Sequence, residues 1–389
     1  MMPVSITSLR RCDGSVIGRY VQQPTGYKAF IPVSFPPKGL SFSRVQGQLE
    51  AANLSLGRLD GITELLPDLD FFILMYIRKE AALSSQVEGT QATMVDALKA
   101  EAQMTTGLPD DVDDILRYIK AMNQGLARLS ELPLSLRLVR EVHHTLLAAG
   151  GRSEGHGYPG EFRSSQNWIG GGSPSTARYV PPPPGELSRV MGEIEDFLHA
   201  DDAYPILIRA GLAHAQFETA HPFVDGNGRT GRLLVTFLLC DKGALKRPVL
   251  YLSEYFKRNR SAYFDRLNDY HDSSAIEEWL EFFLEGVRQV ANEAIETVRA
   301  VNRLRDEDLP TVAGFGRNQA TAMKLLRHLY GRPIVAVSNV QSVTGLSRTN
   351  ANQLVAKFVD AGILTLTDET VEYGRTFVYK RYLDLFNSK

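Results

Sequence analysis

The sequence predicts a mostly α-helical protein, with a helical core carrying one short β-hairpin and a smaller C-terminal domain of winged helix-turn-helix order. Three observations predict it. Apolar residues step by three and four along most of the chain from Leu54 to about Arg305. That period is lost between Gly150 and Gly185, where glycines cluster and Pro181–Pro184 stand in a row. The last segment then reads helix, helix, Gly-containing turn, helix, hairpin. A chain of 389 residues exceeds one ordinary core, so two or three domains are expected.

Residues 1–60 are expected to form an N-terminal arm that drapes over the core, because their first fifty are rich in Pro and Gly with little periodicity. Residues 61–300 form the core. Its helices are expected at Asp70–Glu88, Asp110–Leu129, Leu136–Ala149, Gly185–Ala200, Tyr204–Ala220, Arg229–Asp241, Ala262–His271 and Ala275–Arg305. In Tyr204–Ala220 the residues Ile206, Ala210, Ala213, Phe217 and Ala220 share one face. Leu233–Cys240 is apolar all round, so that helix is expected to be central. Phe162–Gly170 and Ala177–Val180 read as two short strands around Gly170–Gly172. Residues 301–316 are the expected linker, with Pro and Gly in Leu309–Gly316. Residues 317–389 form the last domain. Helices are expected at Asn318–Tyr330, Val337–Val343 and from the N-cap Ser347 to Ala361, with strands at Ile363–Leu366 and Thr376–Arg381.

Composition narrows the function. The two cysteines, Cys12 and Cys240, imply no disulfide framework, which fits a reducing cytoplasm. The N-terminus lacks an apolar stretch of signal-peptide length, and the longest apolar runs fall short of the roughly 20 residues that span a bilayer. Neither export nor membrane insertion is expected. Thr311–Lys389 carries ten basic and five acidic residues, while the chain as a whole has a net charge of −2. A basic end of that size points to nucleic acid no more strongly than to ordinary surface charge.

The chemistry concentrates in His221-Pro-Phe-Val-Asp-Gly-Asn-Gly-Arg-Thr-Gly-Arg232, between two strong helices. Gly226 and Gly228 let backbone amides approach a ligand. The next helix begins at about Arg229, so its unpaired N–H groups and dipole face the same place. This is an anion site suited to a polyphosphate. Arg229 and Arg232 lie three apart and can meet phosphate oxygens from one side. Asp225 offers a hard oxygen for Mg²⁺. His221 is the group here that can take a hydroxyl proton near neutral pH. Neither a Walker A motif nor a dinucleotide-binding fingerprint is present. The implied reaction is attack of an activated hydroxyl on an α-phosphorus, helped mainly by positioning and charge.

The segment resembles the signature of the Fic family, HPFx[DE]GNGRxxR, with every position filled. The resemblance covers most of residues 30–300, including Pro159–Gly170, Ala177–Pro184 and Leu250–Leu267. It implies a Fic-type helical core with a β-hairpin flap, and the following roles. His221 is the general base, Phe223 fixes the loop and Asp225 holds Mg²⁺. Gly226, Asn227 and Gly228 form the anion hole, and Arg229 and Arg232 hold the outer phosphates, with Thr230 and Gly231 counted in the nucleotide-binding stretch. Ile169 covers the base, and Tyr255 and Asn259 close its pocket. Most relatives with this motif transfer AMP from ATP to a protein hydroxyl. Those with Lys at the position of Gly228 can act as kinases, so Gly228 favours AMP transfer. Ser84, Glu88 and Gly89 resemble the family's inhibitory pattern [ST]xxxE[GN], which implies that Glu88 pairs with Arg232 and restrains the enzyme. The same glutamate supports removal of AMP in some relatives. The flap's strand edge is expected to dock the protein substrate by β-augmentation. His143 and His144 are expected to be structural. Relatives that dimerise imply a homodimer here.

In the C-terminal domain Arg348, Asn350, Gln353 and Lys357 are expected on the exposed side of one helix, with Arg375, Lys380 and Arg381 on the wing. This arrangement fits DNA as well as a protein partner. Two rival functions stay open at this point. One is a Fic-type transferase of another phosphate-linked group, or a kinase. The other is a DNA-binding transcriptional regulator that senses a nucleotide through its Fic-like part.

Overall fold

A computed structural model describes residues 17–37, 40–64, 69–102, 104, 107–148, 158–200, 204–368 and 374–387. Cys12, the first part of the expected arm and the turn of the expected wing at 369–373 lie outside the described residues.

The chain enters as an antiparallel hairpin, β1 (Gly18–Gln22) and β2 (Lys28–Pro32). Its Phe30 is buried between Tyr179 and His271, and the Phe30 amide donates to the Val180 carbonyl at 2.9 Å. Helix α1 (Gln46–Thr63) follows, starting inside the span expected to be an arm. Its buried face, Ala52, Leu56 and Leu59, packs against the long helix described below.

The core is built from α2 (Leu69–Val87), α3 (Met94–Glu101), α4 (Val112–Arg128), α5 (Leu136–Leu147), α6 (Pro184–His199), α7 (Ile206–Ala220), α8 (Asn227–Asp241), α9 (Ser253–Arg258), α10 (Arg260–Ser273) and α11 (Ile276–Ala313). Helices α7 and α8 are the centre and are buried along nearly their whole length, as the all-round apolar Leu233–Cys240 stretch of α8 requires. Trp279 of α11, fully buried, donates its indole N–H to the Gly211 carbonyl of α7 at 2.8 Å. Helix α3 was not evident from periodicity because it has only 8 residues. A capping box between Thr93 and Asp96 starts it.

Two expected elements differ. The flap strands shorten to one antiparallel bridge, Ile169 to Tyr179, because Gly170–Gly172 and the prolines leave few residues able to pair. The expected linker is helical as far as Ala313 and contains Pro310. There the buried Asp308 accepts hydrogen bonds from Tyr379 and Arg381, and these ties hold the helix through a residue that normally breaks one.

The C-terminal unit contains α12 (Gln319–Gly331), β3 (Ile334–Ala336), α13 (Val337–Thr344), α14 (Arg348–Asp360), β4 (Thr365–Leu366), β5 (Thr376–Val378) and α15 (Lys380–Leu383). Gly345, at φ 74°, makes the turn between α13 and α14, and Ser347 caps α14. The sheet order is β3-β5-β4, all antiparallel. This unit packs on α2. Arg78 of α2, 6% exposed, binds the Glu101 carboxylate and donates to the Gly331 carbonyl at 3.0 Å. Phe386 packs against Phe72 and Tyr76 of the same helix.

Candidate functional site

The residues from His221 to Arg232 join α7 to α8 as a tight loop pinned from four sides. Asn227 clamps it internally: its Oδ1 accepts the Phe223 amide at 2.8 Å and its Nδ2 donates to the Phe223 carbonyl at 2.9 Å. The ring of His143, on α5, stacks on Phe223 with centroids 3.6 Å apart. Its Nε2–H donates to the Asp225 carbonyl at 2.9 Å, while Nδ1 accepts the Gly160 amide at 2.8 Å. Burial pushes His143 down to about 4, so the ring is neutral and its tautomer is set by these two bonds. Arg163 donates to the carbonyls of His221 at 2.9 Å, Pro182 at 2.5 Å and Ser165 at 3.2 Å, tying the flap to the loop. Asn167 donates to the carbonyls of His221 and Phe223. Between them these donors satisfy the loop's carbonyls, those of His221 and Phe223 twice over.

Gly226 holds φ 74° at the N-cap of α8, so the amides at the helix start point out of the loop. They face a cleft of about 570 Å³, large enough for a nucleotide. His221, Asp225, Gly226, Asn227, Gly228, Arg232, Glu88 and Ile169 all line it. His221 ends α7 with φ 44°. Burial, then the nearby Arg163 charge, lowers its ring to about 4, so it is an unprotonated base at neutral pH. Asp225 accepts the Gly226 amide at 2.6 Å and lies 3.8 Å from Arg229. One carboxylate beside a polyphosphate site suits Mg²⁺ carried in with the nucleotide, rather than a cage built of protein ligands. Among the described residues no group of three His, Cys, Asp or Glu is placed to hold a metal alone.

Glu88 lies just past the end of α2, where Gly89 turns the chain at φ 104°. Its Oε1 meets Arg232 Nη2 at 2.8 Å, and its Oε2 is 3.7 Å from Arg229 Nε. A Cβ on Gly228 would fall 2.1 Å from Glu88 Oε1, so the carboxylate rests directly on the start of α8. Ser84 completes the contact: its Oγ accepts from Arg232 Nε at 2.8 Å and its carbonyl from Nη2 at 2.9 Å. Arg232 is 4% exposed, and Glu88 leads the carboxylates that hold its guanidinium charged against that burial.

Other expected residues stand elsewhere. Thr230 and Gly231 do not line the cleft. Thr230 bonds the Gly226 carbonyl at 2.8 Å, and the Gly231 carbonyl accepts from His214 Nδ1 at 3.0 Å. Arg229 is not part of the cleft lining and lies 3.7 Å from Glu88. Tyr255 packs on Phe282 and Gly286, and Asn259 binds the Tyr255 carbonyl at 3.0 Å, so neither reaches the cleft. The chain breaks between α9 and α10 at Asn259, which resets the helical face. Tyr263, Phe264, Leu267, Asn268 and His271 of α10 line the far end instead. Sequence reading also passed over the tethers Arg163 and Asn167, although both lie in the resembling stretch Pro159–Gly170. His143 gave no signal beyond its type.

Residues 46–127 match the model of the Fic/DOC family N-terminal region, and residues 133–239 match that of the Fic/DOC family. The protein adenylyltransferase Fic of Drosophila virilis is 38% identical over 138 residues, covering 34% of this chain and 26% of the relative. That of Aedes aegypti is 35% identical over 159 residues, covering 40% and 28%. The chain thus spans about a quarter of the length of the curated relatives it matches. A Fic family protein from Desulfovibrio desulfuricans G20 shares the fold, with TM-score 0.57 and 18% identity over 87% of this chain and 97% of that one. With both domain models matched in tandem, and the His221–Arg232 loop inside the second folded as a clamped anion site, residues 46–127 and 133–239 carry the N-terminal and Fic domains of the Fic/DOC family.

Proposed function

We propose that this protein transfers AMP from Mg-ATP to a Ser, Thr or Tyr hydroxyl of another protein, and that Glu88 holds it in a restrained state. The observation that carries the reading is the meeting of a neutral His221 with the start of α8 and Arg232 in one cleft. His221 takes the proton of the incoming hydroxyl as that oxygen bonds to the α-phosphorus. The bond to the β-phosphate oxygen breaks, and pyrophosphate leaves. The amides of Asn227, Gly228 and Arg229 hold phosphate oxygens, and Arg232 holds the terminal phosphates. Asp225 would ligate Mg²⁺, whose charge offsets that of the leaving pyrophosphate. Ile169 and the cleft face of α10 enclose the base. The exposed flap edge at Ile169 docks the substrate backbone.

Glu88 supports the restraint through its position, since its carboxylate binds the same guanidinium that a terminal phosphate needs and lies against the start of α8 at Gly228. ATP competes with an anion already in place. A freed Glu88 also has the chemistry to orient a water for removal of AMP. The C-terminal unit, with α14 capped and presenting the exposed Arg348, Asn350 and Gln353, supports a winged-helix reading open to DNA or protein. Lys380 and Arg381 are committed to Asp384, Glu307 and Asp308, so they contribute less to a binding face than their sequence suggests.

The test is mass spectrometry of lysate proteins incubated with ATP and Glu88→Gly protein. The expected result is the mass of one AMP on a hydroxyl residue, absent with Glu88→Gly/His221→Ala. A phosphate adduct identifies a kinase. No adduct, together with sequence-specific DNA binding, identifies the nucleotide-sensing regulator.

A further inference from the structure

Besides Glu88 and Asp225, the cleft contains a third carboxyl, which the reading above does not use. Glu218, on α7, lines it one helical turn before His221, and its Oε1 is buried with no hydrogen-bond partner. An acceptor left bare in that way is costly unless another state of the molecule uses it. It lies against α8 beside Arg232: a Cβ on Gly231 would fall 2.7 Å from Glu218 Oε1, so glycine at that position makes room for the carboxyl.

Arg232 supplies the complementary problem. Its hydrogen bonds through Nε and Nη2, to Ser84 Oγ, the Ser84 carbonyl and Glu88 Oε1, go to the end of α2. When Glu88 withdraws, a guanidinium with a side chain 2% exposed loses its closest counter-ion, and an unpaired buried cation is strongly unfavourable. Glu218 is among the carboxylates acting on that charge, from the opposite helix. Tyr263 faces the same point from α10, with its hydroxyl held by His214 Nε2 at 2.9 Å.

We propose that Glu218 is a positioning residue for Arg232: after Glu88 leaves, its carboxyl becomes the guanidinium's acidic neighbour and keeps it in the cleft for the nucleotide. This rests on the nucleotide-binding part of that reading. Burial, with Glu88 adding to it, raises Glu218 to about 8, while Arg232 opposes the rise. Loss of Glu88 removes one influence that keeps the carboxyl protonated and leaves Arg232 free to act on it. The two carboxyls thereby alternate as partners of one arginine.

The experiment is a double-mutant cycle in the Glu88→Gly protein, reading the dissociation constant of ATP carrying an N-methylanthraniloyl label. Glu218→Ala and Arg232→Ala are each expected to weaken binding about tenfold, and the pair to bind no more weakly than Arg232→Ala alone. Glu218→Gln, which keeps the shape and loses the charge, should weaken it about threefold and carries the cycle if the alanine variant does not fold. Losses that multiply, or a Glu218→Ala protein that binds the label as tightly as its parent, would overturn the proposal. A Glu88→Gly protein that binds the label but transfers no AMP would sink the functional reading and leave this inference standing.

Discussion

At His221 the decisive quantity is its protonation. Burial and Arg163 hold the ring at about 4, and the Glu88 charge that opposes them is lost on release. The acid limb of a pH–rate profile should therefore lie below pH 6, with activity falling as pH drops toward the lowered value. A limb centred at or above 6.5, the ordinary histidine value, would contradict this. His221→Ala should reduce transfer by about 10²–10⁴-fold with nucleotide binding retained, as loss of a general base does. That His221, Asp225–Gly228 and Arg232 come together at one cleft was legible in the sequence because their placement is local: a loop, a helix start and side chains at fixed spacing. His143, Arg163 and Glu218 were not, because each acts through contacts with residues 13 or more positions away, or across helices. Nothing in their own neighbourhood announces those partners.

At the scale of elements, the unit that matters is α7, the loop and α8, held by the flap root. Arg163 is 4% exposed and its guanidinium serves three carbonyls within 3.2 Å. Arg163→Ala should lower the unfolding free energy by about 3 kcal/mol, since buried acceptors are left bare, and denaturant titration would show it. A loss below about 1 kcal/mol would mean that water replaces the guanidinium without strain. The core helices from α2 to α10, the short α3 and α9 apart, were read from periodicity to within a few residues, whereas α1 fell in the expected arm and α11 runs on to Ala313. The errors fall where tertiary contacts overrule local signals. Pro310 is carried inside α11 because Asp308 is tied to Tyr379 and Arg381. The three-residue strand β3 is visible only through its partner β5. Tyr255, on α9, and Asn259, at the break before α10, pack on Phe282 and on the Tyr255 carbonyl, while side chains of α10 line the cleft.

At the scale of the whole molecule, five buried groups shape stability against pH. His143, His214 and His221 are each lowered to about 4, chiefly by burial. Their folded-state values lie below the unfolded one, so stability falls as pH drops from about 6.5 toward 4. Glu80 and Glu218 are raised to about 7 and 8, again chiefly by burial. Their contribution is complete below about 4.5 and is lost as pH rises through those values, by up to about 1.4 kcal/mol per pH unit for each group. Three histidines outweigh two carboxyls below 6.5, and the carboxyls act alone above it. Thermal unfolding should thus show its highest midpoint near pH 6.5; a midpoint still rising at pH 8 would contradict this. The C-terminal unit bears on the site through α2, the helix that ends at Glu88, because Arg78 and Phe386 weld the two together. That connection had no sequence signature. The central claim is that an anion fixed on the nucleotide site restrains AMP transfer, and its most direct measurement is label transfer from ATP marked at the α-phosphate, with a γ-marked control. The account predicts α label on protein that is faster with Glu88→Gly than with wild type by tenfold or more, about the effect of freeing a buried ion pair for substrate, and no γ label. Equal rates from the two proteins, or label from the γ position alone, would contradict it.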